Sequence, residues 1–423
     1  MNDFRCLWLT RRYPYPPNSG EHLYTRGLVE SLAQAGANVH GLCWGRQETD
    51  NGSPPTVDHE NISWTQVGGF SGSRLHSIIG GLPSDAFRHG RGNIRTELSR
   101  LLREQNWNSV VIDHAAMGWA FPVVKRCQPE ATIVYLSHNA EAKTRREIAT
   151  ELRRSLPMKA ILHWDAAKYV ALERRLCRGA DLISAITADD AAFYRKFAPT
   201  TRVVQNSPGY DGVKLQDRRI TEETPRRVVL SGSFEWIAKQ HNLLRFLEAS
   251  AKPFTAAGIE VQVVGKASPD FAHETRKRFS HCRFDINVPS ISPYFADARI
   301  GVIPEELGGG FKLKALDYVF HGLPIALLNG AAAGLPLDLN HEVIPAPSLA
   351  SLATHIVEVI DDIPFLDSLR ANAFARCEDG FHWRDRGTSL LKEMQRFSSS
   401  TEKTPLEPEA PPALVPANPS KPT

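Results

Sequence analysis

A chain of 423 residues exceeds the roughly 250–300 at which one hydrophobic core stops growing, so a lone small module is excluded and two domains are expected. Hydrophobic residues at 42% exclude global disorder, and 50 basic against 47 acidic side chains leave a formal charge of +3, too little to draw nucleic acid by a whole-molecule field. The cysteines at 6, 43, 127, 177, 282 and 377 are never closer than 37 positions, which excludes CxxC metal pairs and a compact disulfide framework and fits reduced thiols in a cytoplasmic protein.

The apolar run before Arg11 and Arg12 is shorter than a signal h-region of about 7–15 residues, and no later stretch approaches the roughly 18–20 of a membrane span. Residues 4–9 read as a buried strand, 22–36 as a helix with Leu23, Leu28 and Leu32 on one face and Gly36 at its end, and 39–44 as a second strand. Segments 109–113, 132–136 and 182–186 have the continuous apolar character of parallel strands. Near residue 226 the pattern starts again, with strands over 227–230, 260–264, 300–303 and 324–327 and helical periodicity over 241–251 and 312–321. The expected fold class is α/β: two Rossmann-like domains over 1–206 and 207–376, joined through the polar 206–224 segment with Pro208, Gly209 and Gly212. The last 26 residues, 398–423, hold seven of the 29 prolines and read as a disordered tail with PxxP-like spacing.

The chemistry is expected at PEELGGGFKLKALDYVFHGLP, residues 304–324. A strand ends, Gly308, Gly309 and Gly310 follow, and a helix opens with Lys312 and Lys314. Glycines let backbone N–H groups approach an anion, the helix N-terminus adds partial positive charge, and two ammonium groups complete a phosphate cradle. Asp317, further into the helix, is placed to accept hydrogen bonds from ribose hydroxyls.

GGGFKLKALD followed by FHGLPIAL resembles the nucleotide-sugar site of retaining GT-B glycosyltransferases, specifically glycosyltransferase family four. The resemblance implies that Lys312 and Lys314 hold the donor diphosphate and Asp317 the ribose. Two departures stand out: Asp317 replaces the family's Glu, and Gly309 replaces the first Glu of its paired-glutamate motif, leaving Glu305 or Glu306 as substitutes toward the sugar. YPYPPNSGEHLYTRGLVESLAQAGANVHGL resembles the family's opening, with Gly20 in the loop facing the donor and Glu21 where a second glycine is usual. IVYLSHNAEAKTRRE is similar to the strand-loop that carries the family's cleft histidine, which makes His138 the candidate catalytic residue, with Asn139 and Glu141 on the acceptor side. RRVVLSGSFEWIAKQHNLLRFLEA resembles the family's diphosphate-clamping segment: Lys239 lies near its lysine, and Ser233 replaces its arginine. The final segment resembles a helix, here 377–397, that crosses back onto the first domain.

The activity so implied is transfer of a hexose-type sugar from a nucleoside diphosphate to an acceptor hydroxyl with retention of configuration, without metal or other cofactor, in bacterial polysaccharide or glycoconjugate biosynthesis. Asp189-Asp190 and Asp361-Asp362 sit in helical contexts away from the glycine turn, unsuited to a magnesium site. Partners are then the sugar nucleotide and a glycan, lipid-linked or small-molecule acceptor. Between Glu141 and Arg178 ten Lys/Arg against five Asp/Glu give a local +5, suited to an anionic membrane at the inner face of the cytoplasmic membrane. Two other readings are a nucleotide-sugar epimerase of the same fold and a degenerate sugar-nucleotide-binding scaffold, the latter motivated by Gly309, Asp317 and Ser233.

Overall fold

The computed structural model describes residues 4–17, 19–45, 59–68, 75–151, 155–307, 310–332 and 334–399. Seven strands, β1 (Phe4–Arg12), β2 (Ala37–Trp44), β3 (Ile62–Val67), β4 (Ser109–Asp113), β5 (Thr132–Ser137), β6 (Leu182–Ala185) and β7 (Arg202–Gln205), form one sheet in the order 3-2-1-4-5-6-7. Six more, β8 (Arg227–Ser233), β9 (Glu260–Lys266), β10 (Arg283–Ile286), β11 (Ile300–Ile303), β12 (Ile325–Leu328) and β13 (Ile344–Ala346), form a second in the order 10-9-8-11-12-13. Every pairing is parallel. Helices cover both faces, so the central strands bury their side chains on each side: Cys6, Leu7, Trp8 and Leu9 of β1 are all inaccessible. This is the GT-B architecture of two Rossmann-like lobes.

In each sheet the strand order reverses beside the first strand, between β1 and β4 and between β8 and β11. Loops diverge there at the carboxyl edge and leave a crevice, the place where open α/β sheets bind ligands. The two lobes turn these edges toward one another. A Cβ on Gly20, at the start of the first helix (Gly20–Gln34), would stand 3.2 Å from Leu313 of the second lobe, and Phe311 packs against core residues of both.

The closing helix (Trp383–Ser399) lies on the first lobe, where Leu390, Leu391 and Met394 join Phe4, Trp8, Leu28 and Val111 in one cluster. Two glycines permit the approach. A Cβ at Gly387 would sit 2.2 Å from the Ser31 backbone, and one at Gly27 within the Trp383 indole. The expected proline-rich tail falls, from residue 400 on, outside the described residues.

Candidate functional site

On the second lobe, β11 delivers the chain to Pro304 and Glu305, and Glu305 is the centre of the site. Its side chain is 1% exposed and meets three ammonium groups: Lys239 Nζ at 2.6 Å, Lys314 Nζ at 2.8 Å and Lys312 Nζ at 3.1 Å. Lys239 comes from the first turn of the helix over Ile237–Ala257, Lys312 caps the helix over Leu313–Phe320, and Lys314 lies in its first turn. Burial would raise the Glu305 carboxyl, but Lys239, Lys314 and Lys312 together hold it well below the usual carboxylate range. Lys239 and Lys312 are pushed down by burial, against the attraction of Glu305. Three cations converge on one carboxylate, a concentration of positive charge suited to an anion.

The other residues expected on this side divide. Gly308 and Gly309 lie outside the described residues. Gly310 adopts φ +74°, and a Cβ there would come 2.2 Å from Asn139 Oδ1 and 2.8 Å from the His138 carbonyl, so the glycine turn touches the His138 loop across the crevice. Glu306 points away and pairs with Arg245 at 3.3 Å on the surface, while the Ser233 hydroxyl donates to Glu235. Asp317 faces the interlobe segment, where the Tyr210 phenol hydrogen-bonds it and Asp211 stands near; burial first, then Asp211, push its carboxyl up to about 7. Asp361 is tied to Arg226 and Arg299, and Asp362 caps the helix that follows. Asp190, expected to be remote from the glycine turn, is near enough to Lys312 for their charges to interact.

Across the crevice, Gly20 opens its helix behind the Ser19 cap, and Glu21 is held by a two-nitrogen contact from Arg11. His138 follows β5 and places Nε2 2.5 Å from Asp113 Oδ1. Asp113 Oδ2 accepts from the Trp8 indole at 2.9 Å and the Thr25 hydroxyl at 2.7 Å, which fixes the carboxylate and hence the ring. Burial would lower the His138 pKa, yet Asp113 and then Glu21 leave it raised. His114 holds φ +78°, a strained backbone for a non-glycine residue, and its Nδ1 accepts from the Ala116 N–H. Its Nε2 then meets Glu141 at 3.3 Å. Glu141 also receives Asn139 Nδ2 at 3.3 Å and Arg145 at 2.7 Å, and Arg145 reaches Asp85. Beneath them Glu173, pushed up to about 7 by burial, accepts from the Tyr135 and Tyr194 phenols and the Ala142 N–H, anchoring the helix that carries Glu141.

Gly310 thus lies against Asn139 and His138, Gly20 against Leu313, and Lys312 of the Glu305 cluster near Asp190, which brings the two groups of residues together. Sequence reasoning did not single out Asp113, His114, Arg11, Arg145, Glu173 or Asn242, whose side-chain amide pins both backbone groups of Leu307 ahead of the glycine turn. For Asp113 and His114 a signal existed: a carboxylate ending an apolar strand run, followed at once by a histidine at the strand's carboxyl edge. For the rest there was none.

No protein-family model matches the chain, and no curated protein does. Solved structures match at the level of fold. A sucrose-phosphate synthase from Thermosynechococcus elongatus is similar with TM-score 0.69 and 15% identity over 94% of this chain and 100% of that one. WaaG, a glycosyltransferase involved in lipopolysaccharide biosynthesis, gives 0.64 and 15% over 92% and 99%, and Anabaena HepE in complex with UDP and glucose gives 0.64 and 11% over 93% and 100%.

Proposed function

We propose that the chain transfers a sugar from a nucleoside diphosphate to an acceptor hydroxyl with retention of anomeric configuration. The observation that carries this reading is the convergence of Lys239, Lys312 and Lys314 at the end of β11, directly opposite the His138 loop. As the bond from the sugar's anomeric carbon to the donor phosphate breaks, negative charge collects on the diphosphate, where fixed ammonium groups and helix-terminal N–H groups stabilise it. The acceptor oxygen bonds to that carbon from the same face, and its proton passes to the departing phosphate oxygen. His138, oriented by Asp113 through Nε2, turns Nδ1 to a hydroxyl of the sugar, and Asp317, beside Tyr210, receives the ribose. Lysine charge fills the place a divalent cation takes in other transferases, so a chelator is expected to leave turnover unchanged.

On the acceptor side a glycan, a lipid-linked oligosaccharide or a small molecule all remain compatible. Peripheral contact with an anionic membrane is part of the reading: Ile79, Leu156, Met158, Ile161 and Trp164 are exposed on or beside the segment whose local charge is +5. Among the described residues no helix is long and apolar enough to cross a membrane.

Thermal shift with a panel of nucleoside diphosphates tests the donor half, starting with uridine diphosphate because HepE was solved with it. A ligand at about 100 times its Kd stabilises the fold by about 2.7 kcal/mol. Labelled donor and product analysis then separate transfer from epimerisation. Absence of any nucleotide-dependent shift overturns the reading and favours a scaffold.

A further inference from the structure

Beside the Lys239 end of the site, a cavity of about 360 Å³ opens between the helical pair over Glu141–Glu151 and Leu156–Gly179 of the first lobe and the start of the Ile237–Ala257 helix of the second. That volume is at the low end of the roughly 300–1,000 Å³ typical of small-molecule sites. Its walls are Ile148, Leu162, Ala166, Met158, Trp236 and Ile237, with Arg145 and Asp165 the polar exceptions. Both exceptions are already engaged: Asp165 accepts from the Ser84 N–H at 2.7 Å and its hydroxyl at 3.2 Å, and Arg145 is bound to Glu141 and Asp85. A polar ligand would find few partners here. An apolar one would find a wall built by both lobes, since Ile148 and Leu162 pack with Ala238, Trp236 and Leu307 in a single cluster.

The two ends of the cavity differ. Inward, Arg145 forms the cavity wall, and its ion pair with Glu141 ties that wall to His114 and the neighbouring His138 ring. Outward, Met158 and Ile237 are 45% and 36% exposed, and the same apolar surface runs on through Ile161 and Trp164 to Ile78 and Ile79, with the Trp164 indole donating to the Ile78 carbonyl. The surrounding sequence from Glu141 to Arg178 carries the +5 that complements an anionic bilayer.

We propose that this cavity holds the hydrocarbon chain of a membrane lipid whose polar head bears the acceptor hydroxyl. The inference rests on the transferase reading and narrows its acceptor: the head lies at Glu141 and His138, the chain runs between the lobes, and its far end returns to the bilayer past Trp164. Cavity and mouth are used together, so chain length controls affinity.

Titration calorimetry of the full chain with methyl, octyl and dodecyl glucoside, each below its micelle-forming concentration, tests this. Dodecyl glucoside is expected to bind at least about tenfold tighter than octyl, and methyl glucoside not measurably. Ala166→Leu, which fills the cavity, and Met158→Glu, which charges its mouth, should each weaken dodecyl binding at least about tenfold while uridine diphosphate binding stays unchanged. Met158 is surface-exposed, so that variant decides the matter if Ala166→Leu does not fold. Equal affinity for the two longer chains, or undiminished dodecyl binding in the folded variants, overturns the proposal. Failure of the unaltered chain to bind any nucleotide overturns the transferase reading instead, and the same titrations report it separately.

Discussion

Glu305 illustrates how one carboxylate can serve two states of a site. It is the carboxylate on which three buried or half-buried lysines converge, and without it they would repel one another more strongly in a region of low dielectric. Glu305→Gln should therefore destabilise the ligand-free protein by about 3–5 kcal/mol and enlarge the stabilisation that a nucleoside diphosphate confers, both read by thermal unfolding with and without nucleotide. Lys312→Ala and Lys314→Ala act in the opposite sense. Each should lower turnover at least about tenfold by removing a charge-assisted contact to the leaving group, and unchanged kinetics in both would defeat the phosphate assignment. Asp317 supplies a pH signature. Its carboxyl sits at about 7 when folded and near 3.9 when unfolded, so between those values the folded state binds a proton that the unfolded state lacks. Stability must then fall as pH rises from about 4 to 7. Asp317→Asn removes that decline and should gain on the order of 1–3 kcal/mol over the wild type at pH 8 relative to pH 4, measured by urea unfolding. Because Glu173 titrates in the same range, the difference between variant and wild type is the informative quantity.

At the scale of elements, the interior strands were legible because strands buried on both faces read as unbroken apolar runs, as in SVVID of β4 and TIVYLS of β5. The sheet margins were not. β3 and β7 are only partly buried, β10 and β13 are four and three residues long, and none shows a run that stands out from loop sequence. The same distinction explains the site. Glycine turn and lysines are contiguous in sequence and declare themselves, whereas Asp113 and His138 lie 25 positions apart and meet only because β4 pairs with β5 in a register that sets Asp113 beside Leu136. Gly387 belongs to this scale too, as a helix-crossing residue whose role nothing in its neighbourhood of sequence announces. Gly387→Ala should push the closing helix off the Gly20–Gln34 helix at a cost of about 1–3 kcal/mol, visible as a lowered unfolding temperature, because the clash is with Ser31 backbone rather than a movable side chain.

Over the whole molecule, the arrangement joins two half-sites, neither of which suffices. The diphosphate cradle belongs to the second lobe and the Asp113–His138 pair to the first, and Gly310 lies directly against the His138 loop. A side chain at that position would meet Asn139 Oδ1 and the His138 carbonyl while also straining a left-handed backbone. Gly310→Val should accordingly hold the lobes apart without disturbing the lysine cluster, which Glu305 orders from within its own lobe. Donor affinity would then stay within about threefold of wild type, while turnover drops about a hundredfold because the reacting groups are displaced by an ångström or more. Small-angle scattering would show a larger radius of gyration, and nucleotide titration beside steady-state kinetics would separate the two effects. If donor affinity fell in parallel with turnover, the cradle itself would depend on interlobe contact, and the division of labour drawn from Glu305 would be mistaken.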